Sequence, residues 1–140
     1  MFWFSVALVI CANIFYHSSQ KLIPSEANSF VSLFVTFTTA ALAALLLIPI
    51  GIGNKPLLEE FKKLNWASVT VGLAIVGVDL GYLLAYRSGW RVSLGSTFCN
   101  AWIALLMLPV GVMLFKEKLV PANFLGVLLA LAGVFLITRN

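Results

Sequence analysis

One carboxylate interrupts the third long apolar stretch of this chain. Asp79 follows the start of that stretch, Trp66, by thirteen residues, and Tyr82 and Tyr86 follow Asp79 by three and seven. In a helix this spacing places both phenols on the face of the carboxylate, and Arg87 lies on that face one residue later. A carboxylate at this depth could take up a proton or bind a polar substrate. The alternative is a buried ion pair that fixes helix packing.

A polar stripe runs along the end of the first apolar stretch, in "NIFYHSSQKLIP". His17, Gln20 and Lys21 follow Asn13 by four, seven and eight residues, which aligns all four on one helical face. Lys21 lies near the end of the stretch, where its ammonium either reaches the lipid headgroups or works inside the protein. A polar cavity between the first and third stretches, with Asp79 facing Lys21 or His17, would give polar partners both to this stripe and to the polar face that carries Asp79.

The single histidine and the two cysteines give no pattern for a metal site. His17 could hydrogen-bond within the packing or contact a ligand, but neither a second His nor a Cys lies beside it. Cys11 and Cys99 lie within apolar stretches and are interpreted as small buried hydrophobic residues. No nucleophile elbow, metalloprotease motif or phosphate-binding loop is present in the sequence. We therefore expect no metal, no cofactor and no enzymatic activity.

Hydroxyl and amide residues recur at helical spacing in two further stretches. They are Ser32, Thr36 and Thr39 in the second stretch, and Ser93, Ser96, Thr97 and Asn100 in the fourth. Hydroxyls in membrane helices commonly serve packing. Asn100 is the better candidate for a ligand contact, because it cannot satisfy itself on its own backbone as Ser and Thr can. We expect Ser96 and Asn100 to line a pathway together with Tyr82, Tyr86 and Arg87.

Five apolar stretches must position these residues. Each meets or approaches the length of about 20 residues that crosses a bilayer as a helix. The chain is 61% hydrophobic and only 10% charged, against about 25% charged residues in a soluble domain. The sequence therefore predicts an all-α integral membrane protein with one domain over residues 1–140. The predicted helices are Phe2–Gln20, Asn28–Ile52, Trp66–Tyr86, Val92–Phe115 and Pro121–Thr138.

The first apolar stretch could be a membrane helix or a signal peptide. The first apolar stretch has no basic residue before it and no clear cleavage site, so we interpret it as a membrane helix rather than a signal peptide.

Between the second and third stretches, "PLLEEFKKL" separates leucines and Phe61 on one helical face from glutamates and lysines on the other. That pattern is typical of a short helix lying in the membrane interface.

Positive charge is nearly balanced between the two sides of the membrane. With five spans, the N-terminal side holds five basic residues, namely Lys55, Lys62, Lys63, Lys116 and Lys118. The opposite side holds four, namely Lys21, Arg87, Arg91 and Arg139. Five against four permits insertion in both orientations. If Lys21 and Arg87 work inside the protein, five against two favours a cytoplasmic N-terminus. These charges lie beside membrane segments, so the net charge of +4 does not indicate a nucleic-acid partner.

The last stretch carries a face of small residues. Gly126, Ala130 and Gly133 follow one another at four and three residues, a spacing that allows two helices to approach closely. No polar residue lies between Asn123 and Thr138, so we do not expect this helix to line a wet pathway. We interpret the face as a dimer contact, and packing within one subunit is the alternative.

The ending "LPVGVMLFKEKLVPANFLGVLLALAGVFLI" resembles the last two helices of an EamA-type repeat in the drug/metabolite transporter superfamily. The matching features are Pro109 within an apolar helix, Glu117 between two lysines, and a final helix with Gly126 and Gly133. "NIFYHSSQKLIP" and "VGVDLGYLLAYRSGW" also resemble a single-repeat, five-helix branch of that superfamily. The resemblance covers nearly the whole chain.

The resemblance implies an assembly as well as a fold. Most EamA-type proteins carry two five-helix repeats of inverted topology, and this chain supplies one. A lone repeat could rebuild the ten-helix architecture by pairing with an oppositely inserted copy. The similar small multidrug resistance proteins, which work as antiparallel homodimers, are an analogy for such pairing. Those proteins place an essential Glu in the first helix, whereas the first stretch here has no carboxylate. Antiport of cationic drugs is therefore not carried over.

The sequence leads us to expect a secondary transporter of small polar metabolites in the inner cell membrane, an antiparallel homodimer coupled to protons through Asp79. His17, Lys21 and Arg87 could bind anionic groups of an anionic or zwitterionic substrate, or they could instead neutralise Asp79. Two alternatives stay open. One is a non-transporting subunit that stabilises a partner complex, and the other is an uncoupled, channel-like pathway for a solute.

Overall fold

A computed structural model of the chain describes residues 1–53, 55–118 and 120–139, and all regular structure in those ranges is helical. The helices are α1 (Phe2–Leu22), α2 (Ser29–Ile52), α3 (Leu57–Lys62), α4 (Trp66–Arg87), α5 (Val92–Phe115) and α6 (Pro121–Thr138). Five of them, α3 being the exception, are long and apolar enough to cross a membrane. The chain is therefore an all-α, multi-pass membrane protein, and that part of the prediction is confirmed.

The ends of the helices follow from local chemistry. The predicted limits of α5 and α6 agree with the structure, whereas α1 and α4 continue to Leu22 and Arg87. Helix α2 begins one residue later than predicted, because Asn28 is its N-cap. The Asn28 carboxamide oxygen accepts the backbone N–H groups of Phe30 at 2.9 Å and Val31 at 3.3 Å, which satisfies two otherwise unpaired donors of the first turn.

Two membrane helices contain an internal proline. Helix α2 continues through Pro49 and ends at Ile52, where Gly53 is the C-cap and has a φ of 58°, which L side chains rarely adopt. Helix α5 likewise continues through Pro109. Membrane helices tolerate proline where neighbouring groups satisfy the freed backbone carbonyl. Asn54, which belongs to the predicted turn after α2, lies outside the described residues.

The predicted amphipathic segment forms the short helix α3. The side chains of Leu58 and Phe61 are exposed, as is that of Leu64 just beyond the helix. Glu60 accepts a hydrogen bond from the ammonium of Lys63. An exposed apolar face beside a charged face is the arrangement expected of a helix at a membrane surface.

The described residues group into two compact units, which we treat separately. The first unit contains Met1–Ser18 and the chain from Ser88 onward, and within it α5 packs against α6. The second unit contains Ser19–Arg87, and within it α2 packs against α4. Leu33 and Leu83 are buried in the second unit, and Val134 is buried in the first.

A tight connection joins α5 to α6 in the first unit. Lys116 takes the left-handed conformation, with φ 54° and ψ 34°, and caps the end of α5. The backbone N–H groups of Lys116 and Glu117 both donate to the carbonyl oxygen of Gly111. Such a cap satisfies carbonyls that have no partner in the last helical turn. It reverses the chain, so that the start of α5 and the end of α6 line one pocket, described below.

Candidate functional site

The first unit holds a groove with a polar lining between α1 and α5. Its volume is about 520 Å³. Its polar side chains are Asn13, His17 and Ser18 of α1, and Ser93, Ser96 and Asn100 of α5. The remaining lining is aliphatic, with valine and isoleucine side chains from both helices. Amide, hydroxyl and imidazole groups thus meet in a groove walled by two helices that are long and apolar enough to span a membrane.

The helical repeat explains why these residues share the groove. On α1, Asn13 and His17 are four residues apart, and Ser18 follows Ile14 by four. On α5, Asn100 follows Ser96 by four. Residues at this spacing lie above one another on one helical face. The sequence identified each polar face separately, and the structure brings the two faces to a common groove.

Two groove side chains donate a hydrogen bond to a backbone carbonyl oxygen of their own helix. Asn13 donates from Nδ2 to the carbonyl oxygen of Val9 over 2.9 Å, and Ser96 donates from Oγ to that of Val92 over 2.9 Å. This leaves the amide oxygen of Asn13 as an acceptor for a ligand. Asn100 forms no side-chain hydrogen bond with any described residue. Its amide therefore offers both donors and acceptors to whatever occupies the groove.

The carboxylate predicted to carry chemistry lies buried in the second unit. Asp79 is 4% exposed, Tyr86 is 3% exposed, and Leu83 between them is fully covered. The rings of Tyr82 and Tyr86 are stacked, with centroids 5.8 Å apart. Asp79 and both tyrosines thus belong to one side of α4, as predicted. Sequence reasoning missed Leu83, which lies four residues after Asp79 and is 0% exposed.

Lys21 and Arg87 bind the protein itself. The ammonium of Lys21 donates to the carbonyl oxygen of Tyr86 over 2.9 Å. The guanidinium of Arg87 donates from Nη1 to Ser29 Oγ over 2.6 Å and from Nη2 to the carbonyl oxygen of Pro24 over 3.1 Å. Cations are favourable at the C-terminal end of a helix, where carbonyls lack partners. These contacts connect the end of α4 to the end of α1, to the start of α2 and to the segment between them.

Two further residues of the predicted polar stripe, Gln20 and His17, are buried. Gln20 is 5% exposed and His17 is 7% exposed, although both lie near the end of a largely exposed helix. The ring of His17 packs edge-on against that of Tyr16, with centroids 4.9 Å apart. A direct pairing of Asp79 with Lys21 or His17 stays a prediction. Sequence reasoning did not identify Ser18 as a groove residue. Its spacing of four residues from Ile14, which also lines the groove, was the available signal.

The small-residue face of α6 is open within the described chain. Gly126 and Ala130 are exposed, and Gly133 is partly exposed. No described atom lies within 4 Å of the position that a Cβ would occupy at Gly126 or Gly133. Val134 supplies the buried contact of α6 instead. Close packing at these glycines is therefore absent from the part of the subunit that the structure describes, and the predicted dimer contact stays a prediction.

Comparison with protein-family models, curated proteins and solved structures found no match to this chain. Within the described ranges, His, Cys, Asp and Glu residues form no group of three that could hold a metal ion. The groove between α1 and α5 is the feature of the described chain that bears most directly on function, together with the buried carboxylate of α4.

Proposed function

We propose that this chain is one half of a secondary transporter for small polar metabolites, built from two oppositely inserted copies in the inner cell membrane and coupled to protons. The observation that carries the proposal is the groove with polar side chains from α1 and α5. Its volume of about 520 Å³ lies within the range of roughly 300–1,000 Å³ usual for small-molecule sites.

The depth of the groove supports a polar occupant. Asn13 is eleven residues beyond the start of α1 at Phe2, which is about 17 Å along a helix. That distance is near the middle of a hydrocarbon core about 30 Å thick. Amide and imidazole groups at this depth are unfavourable against lipid tails and favourable against water or a polar solute. A solute with hydroxyl, amide or carboxylate groups fits the side chains present.

Asp79 supports proton coupling. Placing a charged carboxylate at the centre of a membrane helix costs roughly 3 kcal/mol on insertion scales, and Asp79 is 4% exposed in the middle of α4. Protonation removes that charge and deprotonation restores it. A carboxylate that exchanges a proton with one side of the membrane at a time would link solute movement to the proton gradient.

An oppositely inserted pair supplies the second half of the pathway. Five membrane-spanning helices place the two ends of one chain on opposite sides, so a single copy has no inverted repeat. The nearly balanced lysines and arginines permit both orientations. The open glycines of α6 offer a surface on which the two copies could pack. The resemblance to a single EamA-type repeat agrees with this assembly.

Charge movement in proteoliposomes tests the proposal. Purified protein would be adsorbed on a solid-supported membrane and exposed to pooled amino acids, small carboxylates and polyols, with and without a pH gradient. We expect a solute-dependent current that grows with the gradient and is lost in Asp79→Asn. Glu117→Gln makes the same chemical change at an exposed carboxylate and should leave the current intact.

The alternatives give different results in the same assay. A folded protein without current for any pool would favour the non-transporting subunit. Solute flux that ignores the pH gradient and survives in Asp79→Asn would favour the uncoupled pathway. Either result would refute electrogenic, proton-coupled transport of these solutes by this chain.

A further inference from the structure

A second pocket lies on the other side of α5, also within the first unit. It has a volume of about 360 Å³ and is lined by Trp90, Arg91, Leu94 and Phe98, with Thr138 from the end of α6. Leu94 and Phe98 each lie two residues beyond a groove residue, Val92 and Ser96, which turns them about 200° around the helix. This pocket is therefore separate from the polar groove.

The wall of the pocket is apolar and extended along the helix axis. The ring of Phe98 packs edge-on against Trp90, with centroids 5.8 Å apart, and lies 6.3 Å from the ring of Trp102. Leu94 and Phe98 line the pocket, and Trp102 continues the apolar surface of α5 to about 12 Å beyond Leu94, eight residues along the helix. A narrow apolar wall parallel to a membrane helix matches the shape of an acyl chain.

The mouth of the pocket is positively charged. Arg91 is exposed, and its guanidinium makes no hydrogen bond or ion pair with a described residue. Arg139 directly follows Thr138 at the end of α6 and adds a second basic residue beside the pocket. One membrane helix begins and another ends here, which places the mouth at the level of the lipid headgroups. Trp90 stands where interfacial tryptophans are common.

We propose that this pocket binds one anionic phospholipid, with the headgroup phosphate on Arg91 and an acyl chain along Leu94 and Phe98. The planar guanidinium donates two parallel hydrogen bonds to phosphate oxygens. The apolar wall holds the chain, which a free phosphate ion lacks. The negative charge of the lipid complements two arginines that face no carboxylate in the described part of this pocket. This inference does not depend on the transport proposal.

Quenching of Trp90 by brominated lipids tests the site. In a variant with Trp3, Trp66 and Trp102 replaced by Phe, Trp90 alone would report nearby acyl chains. The protein would be placed in bilayers of phosphatidylcholine containing a rising fraction of brominated phosphatidylglycerol, or of brominated phosphatidylcholine as the comparison. We expect half-maximal quenching at a clearly lower fraction of the anionic lipid.

Two variants separate the bound lipid from general lipid contact. Arg91→Gln should raise the fraction of phosphatidylglycerol needed for half-maximal quenching about fivefold, the effect of losing one basic residue near an anionic headgroup. Lys118→Gln removes the same charge at the opposite end of the α5–α6 pair and should change nothing. Arg91→Lys, which keeps the charge without the planar fork, should fall between the wild type and Arg91→Gln. An unchanged emission maximum of Trp90 in the absence of brominated lipid checks folding.

Four results would overturn the proposal. Equal quenching by both lipids would mean ordinary bilayer contact, and an unchanged preference in Arg91→Gln would remove that residue from the site. Absence of quenching by either lipid would mean that protein, such as a second copy, covers the pocket. Displacement of the brominated lipid by inorganic phosphate at equal concentration would assign the site to a free anion.

Discussion

Arg87 and Ser29 are joined by a hydrogen bond of 2.6 Å, from Nη1 of the guanidinium to the hydroxyl oxygen. Arg87 is the last residue of α4 and Ser29 is the first residue of α2. The same guanidinium also donates to the carbonyl oxygen of Pro24. One side chain therefore connects a helix end, a helix start and the segment before it, in the unit where α2 packs on α4.

Removal of this connection should destabilise the protein. Arg87→Gln is expected to lower the free energy of unfolding by roughly 1.5–3 kcal/mol, the usual contribution of hydrogen bonds to a charged group. Arg87→Lys should recover only part of that loss, because one ammonium does not reproduce the two divergent donors of the fork. Unfolding in mixed micelles with increasing sodium dodecyl sulfate, followed by circular dichroism, measures both variants.

Arg91→Gln is the matched control for Arg87, since the Arg91 side chain is exposed and its guanidinium makes no hydrogen bond or ion pair with a described residue. Its unfolding midpoint should equal that of the wild type when no anionic lipid is present. If Arg87→Gln also unfolds like the wild type yet abolishes solute currents, Arg87 serves the substrate and not the fold.

The groove between α1 and α5 should be accessible to water. In a background without Cys11 and Cys99, Asn100→Cys should react with a membrane-impermeant methanethiosulfonate at least about tenfold faster than Leu106→Cys, because the thiolate that reacts requires a polar environment. Leu106 is 60% exposed on α5 and lies on a different face from the groove. Mass spectrometry of the labelled protein gives both rates. Equal slow labelling at the two positions would mean that lipid or protein fills the groove.

The sequence was sufficient to predict where the helices lie but not which parts of the chain contact one another. Limits such as Val92 and Phe115 follow from apolar length and flanking polar residues, which are local properties. The helix ends at Leu22 and Arg87 lie beyond the apolar stretches, and at these ends Lys21 and Arg87 donate hydrogen bonds to carbonyls distant in sequence. Hydropathy does not register such a contact.

For the candidate site as well, the sequence predicted the polar face of each helix but not how the helices pack together. Periodicity correctly aligned Asn13 with His17 and Ser96 with Asn100, but it did not predict that the two faces line one groove. Which helix faces which depends on packing over the whole chain, and single-sequence periodicity carries only the angle around one helix axis. For the same reason, the sequence did not predict that Leu83 would be fully buried beside Asp79.

The small-residue face of α6 should mediate association of two copies. Gly126→Leu is expected to weaken dimer formation by at least about tenfold, because a bulky side chain prevents close approach of two helices. The subunit itself should stay folded, since no described atom lies within 4 Å of the new Cβ. Energy transfer between donor-labelled and acceptor-labelled protein, diluted stepwise with lipid, measures the association.

Leu128→Phe is the control for the α6 face. Leu128 is exposed and lies two residues from Gly126, on nearly the opposite side of the helix. Added bulk there should leave energy transfer unchanged. Equal effects of the two substitutions would show that α6 associates without regard to its small residues.

We propose that one gene product inserts in both orientations and forms the inverted pair by itself. The most direct measurement places a single cysteine after the last residue, in a background with Cys11 and Cys99 replaced. Intact cells and opened cells are then labelled with a membrane-impermeant thiol reagent. Because basic residues are nearly balanced across the membrane, we predict that about half of the cysteine labels in intact cells and the rest only after opening. Labelling from one side alone would contradict the antiparallel homodimer.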